Sequence, residues 1–204
     1  IAEEDILCDP MDIPTHWPRL CGMDFGWDHP TAVVWITWDR DTDIVYIYDC
    51  YAMRQETVPV HASAINGRGK WIPVVWPMDG RQADKGSGKS LTEQYRKEGV
   101  NMLRDHFSNP SSNGMKEGSG GNSVEAGIME ILTRMQTKRL KIFKNQSKLL
   151  EELRMYHRKD GKIVPAHDDV ISAMRYCVMS LRKARIKNYQ PMQFKTDSEF
   201  NVFK

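Results

Sequence analysis

Residues 21–39, CGMDFGWDHPTAVVWITWD, decide how the rest of the chain is read. The triplet Asp24-Phe25-Gly26 matches the magnesium-binding signature of protein kinases. In a kinase it follows a Gly-rich loop, a strand lysine and a His-Arg-Asp segment. Only 23 residues precede Asp24, and they contain none of those parts. That excludes a kinase. What remains is an aspartate closing a short apolar strand, RLCGMDF at 19–25, followed by a glycine and a second, longer apolar run. Thr31–Trp38 and Ile44–Tyr51 are rich in Val, Ile, Trp and Tyr, and the polar turn 39–43 separates them. Links this short make the three strands an antiparallel meander.

Outward from this meander the chain alternates strands with helices, which predicts an α/β domain. A helix is expected around 58–66, then a buried strand over Pro73–Met78 that ends at Asp79. A helix over 90–98 and a strand over 100–103 follow, then a Gly/Ser/Asn-rich loop over 109–122. Val124, Ile128, Ile131, Leu132 and Met135 recur at helical spacing within 123–136. A strand over 140–143, a helix over 147–157 and a hairpin around Asp160-Gly161 come next. The last helix is expected from Asp168 to about Arg185, with Val170, Met174, Cys177 and Leu181 on one face. Residues 1–185 are thus read as one domain and 186–204 as a flexible tail.

With 204 residues, 40% of them hydrophobic, the chain can bury one substantial core. A net charge of +2 does not announce nucleic acid, so any basic surface must be local. Cys8, Cys21, Cys50 and Cys177 form no CxxC pair, which argues against a zinc ribbon and suits free thiols. No apolar run is long enough to span a membrane. A chain that opens on Ile is expected to be part of a longer polypeptide.

Three acidic positions stand out. Asp24 ends the first strand, Asp79 ends the fourth, and the pair Asp168/Asp169 opens the last helix. A right-handed crossover returns the fourth strand beside the first. Asp24 and Asp79 then neighbour each other at strand C-terminal ends, where open α/β sheets build their sites. Hard divalent ions such as Mg²⁺ take carboxylate oxygens, and an all-aspartate set without His or Cys suits them. Each acid also has a plainer use. Asp168 or Asp169 could be an N-cap, and Asp79 a turn residue. It is their combined placement on strand, strand and helix that is specific.

Together with "DFGWDHPTAVVW", the segments "IPVVWPMDG", "GGNSVEAGIMEI", "MYHRKDGKIV" and "HDDVISAMRY" resemble the nuclease domain of the large terminase subunit of tailed bacteriophages, enteric podophages in particular. The resemblance covers residues 21 to about 180. It implies a ribonuclease H-like fold, a mixed sheet flanked by helices, with Asp24, Asp79, Asp169 and Asp168 as catalytic metal-binding acids. Many relatives carry a further acid at the position of Ser172, which leaves the Asp168/Asp169 pair to act here. Asp169 is favoured over Asp168 for metal contact, because Asp168 can serve as the cap.

The resemblance further implies a metal-dependent endonuclease that cuts concatemeric double-stranded viral DNA during packaging, with two Mg²⁺ or Mn²⁺ ions. An ATPase domain would precede this chain, with the small terminase subunit and the portal protein as partners. The setting would be the host cytoplasm, in a transient complex at the procapsid rather than the mature virion. Two alternatives remain: another ribonuclease H-like enzyme, a junction resolvase or transposase, or a non-catalytic portal-docking module. A transposase would usually end its acid set with Glu.

ADKGSGKS at 83–90 ends like a phosphate-binding P-loop, but Ala83 stands where Gly is required and no buried strand leads straight into it. No nucleotide site is expected. Arg81, Lys85 and Lys89 are instead candidates for holding the DNA backbone, as are Arg158, Lys159 and Lys162 on the hairpin. Arg154 belongs to the same basic run. A further cluster, Lys138, Arg139, Lys141 and Lys144, flanks a strand and could merely blunt a sheet edge. His167 is expected to serve as a structural hydrogen-bonding residue, and the six Trp as core.

Overall fold

A computed structural model describes residues 1–82, 88–109, 124–159, 162–163 and 168–187. Its elements run α1 (Glu3–Ile6), β1 (Leu7–Cys8), β2 (Arg19–Asp24), β3 (Thr31–Asp39), β4 (Ile44–Met53), α2 (Val58–Gly67), β5 (Val74–Val75), α3 (Leu91–Lys97), α4 (Val124–Gln136), β6 (Leu140–Phe143), α5 (Ser147–Met155), β7 (Arg158–Lys159), β8 (Lys162–Ile163) and α6 (Asp169–Val178). A 3-10 turn over Met78–Arg81 follows β5, and another over Leu181–Lys183 follows α6.

Six strands form one sheet in the order β1-β6-β4-β3-β2-β5. The expected meander is present: β2 pairs antiparallel with β3, and β3 with β4. The crossover through α2 returns β5 parallel to β2, with Cys21 opposite Val74 and Gly22 opposite Val75. On the other side β6 runs parallel to both β4 and β1.

Helices cover both faces. Along β3, Val33 and Trp35 point into one core with Met23, Ile65, Val74 and Tyr95, while Val34 and Ile36 point into another with Leu20, Ile47, Met174 and Cys177. A strand buried on both faces reads as a continuous apolar run, hence TAVVWIT. The second core seats α6, whose Val170, Ile171, Met174, Cys177 and Val178 are all buried. Each such side chain stabilises the docking by about 1.5–3 kcal/mol relative to exposure. All four cysteines are free thiols.

Three expectations change. The fourth strand contracts to Val74–Val75, so Asp79 lies in the 3-10 turn four residues beyond it. The strand expected over 100–103 is reduced to a single parallel bridge, Val74 with Met102. The last helix stops at Val178, because the backbones of Arg185 and Arg19 hydrogen-bond in both directions and draw the chain back to the sheet. The segment Glu3–Cys8, which shows no clear period, adds a short helix and strand beside β6. Most of the Gly-rich loop and of the tail lies outside the described residues, as do Lys85, Asp160, Gly161 and His167.

Candidate active site

Strand alternation puts Leu20, Gly22 and Asp24 on the face that meets α6. Gly22 makes the approach possible. A Cβ there would fall 2.2 Å from the Ala173 carbonyl oxygen and 2.8 Å from the Cys177 sulfur. With no side chain in the way, α6 lies directly on β2 and runs against it, which carries its first residue, Asp169, toward the end of β2.

The first turn of α6 has an unforeseen cap. Asp168 occupies the N-cap position but makes no side-chain capping bond. The free N–H groups of Val170 and Ile171 instead donate to Glu152 Oε2, at 2.9 and 3.0 Å. Glu152 is buried, and that burial, helped by the charges of Asp169 and Asp168, pushes it up to about 7 against the pull of the two N–H donors. One signal pointed to it: Glu152 shares the apolar face of SKLLEELRM with Leu149. Because Glu152 caps the helix, neither aspartate is committed to that task.

Asp24 is half-buried at the end of β2. Burial first and the Asp169 carboxylate next push it up to about 7, and Asp79 adds to the shift. The charge of Arg175 and a hydrogen bond from Tyr176 Oη to Asp24 Oδ1 at 3.4 Å oppose it. Burial also raises Asp169, with the charges of His29 and Arg54 acting against it and that of Asp168 adding to it. Asp79 is exposed on its turn, anchored where Thr92 Oγ1 donates to the Gly80 carbonyl at 2.7 Å. Three elements thus bring Asp79 and Asp169 each within electrostatic reach of Asp24.

Two groups behind Asp24 have no sequence signature. Tyr176 lies two helical turns beyond Asp169 and leans back toward the helix start, as long helical side chains do. Arg175 is 5% exposed, and its guanidinium rests against Tyr176 (4.6 Å) and Phe107 (5.5 Å). Its Nε and Nη1 find no hydrogen-bond acceptor among the described residues. Gly127 of α4 makes room for it, since a Cβ there would come within 2.4 Å of Arg175 Cγ.

The carboxylates fit a hard divalent cation. All donors are oxygen, no ion pair among the described residues holds these acids, and Tyr176 donates one long bond to Asp24. Among the described residues, no three of His, Cys, Asp and Glu are yet gathered as tightly as a formed metal site.

The basic candidates divide. Arg81 ends the 3-10 turn that carries Asp79 and is exposed, and Lys89 lies just before α3. Arg158, Lys159 and Lys162 lie on the β7–β8 hairpin, which forms as expected. The cluster 138–144 belongs to a different task. Lys138 pairs with Asp5, Lys144 with Asp9 and Arg139 with Asp43, while Lys141 donates to the Asp5 carbonyl. These cations pin the N-terminal segment and the β3–β4 turn, not a sheet edge, because β6 lies inside the sheet. Arg154 is likewise held by Glu3.

Residues 21–181 match the family described as the Terminase RNaseH-like domain. The chain belongs to this family. It is 40% identical over 187 residues to the terminase large subunit of Salmonella phage P22, a match covering 91% of this chain and 36% of that protein. The chain therefore spans about a third of that relative's length. The solved nuclease domain of the P22 large terminase superposes with a TM-score of 0.80 at 40% identity, covering 91% of this chain and 92% of that one. The large terminase nuclease domain of bacteriophage SPP1, solved with bound Mn, has a TM-score of 0.57 at 13% identity over 83% of this chain and 92% of its own. The ribonuclease H-like terminase fold expected from the sequence is the fold observed.

Proposed function

We propose that this terminase domain is a metal-dependent endonuclease that cuts concatemeric double-stranded DNA during phage genome packaging. The observation that carries this reading is the convergence of Asp24, Asp79 and Asp169 from β2, the turn after β5 and the start of α6, with charge that only partial protein contacts offset. The nuclease named in the P22 relative and the Mn held by the SPP1 domain support it.

Two Mg²⁺ or Mn²⁺ ions, when bound, would supply an activated water and stabilise the leaving oxygen of an in-line displacement. Asp24, Asp79 and Asp169 would hold these ions, with Asp24 central in the group. Asp168 is the reserve ligand beside Asp169. Tyr176 orients the Asp24 carboxylate through its hydroxyl, and Glu152 holds the start of α6 so that Asp169 faces β2. Arg81, Lys85 and Lys89 hold the DNA backbone without reading sequence, as do Arg158, Lys159 and Lys162. In the complete protein we place an ATPase domain before this one, with the small terminase subunit and the portal as partners in the host cytoplasm. Cut-site choice then comes from those partners.

Plasmid cleavage with and without metal tests the reading. Wild type is expected to nick and linearise plasmid in Mg²⁺ or Mn²⁺ and to stop in excess EDTA. Cleavage that persists in EDTA would overturn it. Calorimetric titration with Mn²⁺ gives a second readout, with binding expected in wild type and weakened in Asp24→Asn.

A further inference from the structure

A cleft of about 460 Å³ opens beside Asp79, within the usual size range of ligand sites of about 300–1,000 Å³. Its walls come from the β2–β3 loop, the start of α2, the turn after β5 and α3. The interior is aromatic. The Phe25 and Tyr95 rings meet at 5.7 Å, and Phe25 rests over Gly80, where a Cβ would come within 2.7 Å of the ring. Trp27 stands at the opening, 59% exposed.

The loop that presents Trp27 is braced. Thr31 Oγ1 donates to the Gly26 carbonyl at 2.9 Å and accepts from the Gly26 N–H at 3.2 Å, while the Gln55 N–H donates to the Trp27 carbonyl at 3.2 Å. A large indole held out on a fixed backbone keeps apolar area exposed without the disorder of a loose loop. Exposed aromatics in such a position are contact surfaces.

The charge of the lining says what can enter. Among the described residues, the cleft carries no Lys or Arg and does carry Asp79 and Glu56. His61 is buried and shares a hydrogen bond of 2.9 Å with Tyr51 Oη, and that burial lowers it against the pull of Glu56. A phosphate would be repelled here. The remaining polar side chains of the lining are the amides of Gln82 and Gln94 and the hydroxyls of Thr57 and Tyr95, that of Thr31 being engaged by Gly26. Aromatic faces with neutral amide edges suit a flat, uncharged, hydrogen-bonding ring. Asp79 belongs both to this lining and to the acid group, so such a ring would lie next to a phosphodiester held by the acids.

Building on the nuclease reading above, we propose that the cleft receives one unstacked nucleobase flanking the phosphodiester to be cut, with Trp27 stacking on it. A base within a duplex has both faces covered by its neighbours, so only an extruded or frayed base can take the site. Extrusion costs least where pairing is already broken. The domain should therefore favour mismatched or frayed positions without reading sequence.

The test uses two end-labelled duplexes of identical length, one fully matched and one with a single central mismatch. Binding is measured by fluorescence anisotropy in Ca²⁺, with the strands checked to be intact afterwards. Wild type is expected to prefer the mismatched duplex by about fivefold or more, the scale of one base stacked on an aromatic ring. Trp27→Ala should bring the ratio near one, and Trp27→Phe should keep most of it, which a change in DNA flexibility alone would not explain. Trp27 is exposed, so neither substitution threatens the fold. Absence of preference in wild type, or a preference that survives Trp27→Ala, overturns the proposal. Cleavage of the same duplexes in Mg²⁺ separates the two ideas. If wild type cuts both but shows no Trp27-dependent preference, the cleft assignment fails and the nuclease stands. If wild type cuts neither yet shows that preference, the nuclease reading fails and the base site stands.

Discussion

Asp24 and Asp43 lie at opposite ends of the central strands, one closing β2 and the other in the turn between β3 and β4, and their surroundings differ in kind. Burial raises both, but at Asp43 cations and donors outweigh it. Arg139 bonds Oδ2 at 2.6 Å, Trp38 Nε1 bonds Oδ1 at 2.9 Å, and Arg134 lies at 3.2 Å, so Asp43 titrates below the usual carboxylate value. At Asp24 burial and two further acids outweigh the Arg175 charge and the Tyr176 hydroxyl, and the carboxyl is pushed up to about 7. One aspartate is satisfied by the fold and holds two loops to the sheet. The other is left with negative charge the fold does not cancel. Strongly raised acids of this kind gather at functional sites, where like charges and burial are brought together.

The sharpest break of this comparison is to neutralise each acid in turn. Asp24→Asn and Asp79→Asn keep the shape but lose the charge that attracts a divalent ion. Plasmid cleavage should fall by about a thousandfold or more, in line with several kcal/mol of metal-supplied stabilisation. Thermal unfolding should be unchanged or raised for Asp24→Asn, since it relieves crowding among like charges. Comparable cleavage by wild type and both variants would sink the site assignment.

A second way to separate the two ends is to move the helix rather than an acid. Gly22→Ala forces a methyl against the Ala173 carbonyl, so β2 and α6 must part. Overpacking of this kind costs about 1–3 kcal/mol. Denaturant unfolding should show that loss together with weaker cleavage, because Asp169 retreats from Asp24.

Asp43→Asn should give the converse pattern. Stability should drop by about 1 kcal/mol, a charged hydrogen bond discounted for partial solvent screening, while cleavage is preserved. The pH dependence follows from the sign of the shift. A carboxylate depressed in the fold stabilises fully above the usual aspartate value and loses that contribution as pH falls. The gap between wild type and Asp43→Asn should thus shrink as pH is lowered through and below about 4. A gap that widens in acid would contradict the assignment.

The smallest expected effect concerns the loop beside Asp79. Changing Arg81, Lys85 and Lys89 together to Ala should weaken binding equally for unrelated duplexes. The log–log salt slope should flatten by up to about 0.9 per lost phosphate contact. An unchanged slope would remove this loop from the DNA surface.

Local periodicity determined a good deal by itself. The β-rich runs RLCGMD and TAVVWIT, closely spaced, set the meander, and the two-residue repeat of a strand puts Asp24 on one face with Gly22 whatever lies around them. The 3.6-residue spacing of Val170, Met174 and Cys177 placed the acid pair at the start of an amphipathic helix. The resemblance to terminase nucleases then tied these pieces into one order. Spacing could not say what meets across the fold. Tyr176 reaches Asp24 over 152 positions, and Lys138 and Lys144 pair with Asp5 and Asp9. It was tertiary packing that gave Glu152 the cap of α6, slid α6 onto Gly22 and set Trp27 at the mouth of a cleft with no Lys or Arg among its described lining residues. Those outcomes depend on which surfaces bury one another, and contact between distant segments leaves no period in either of them.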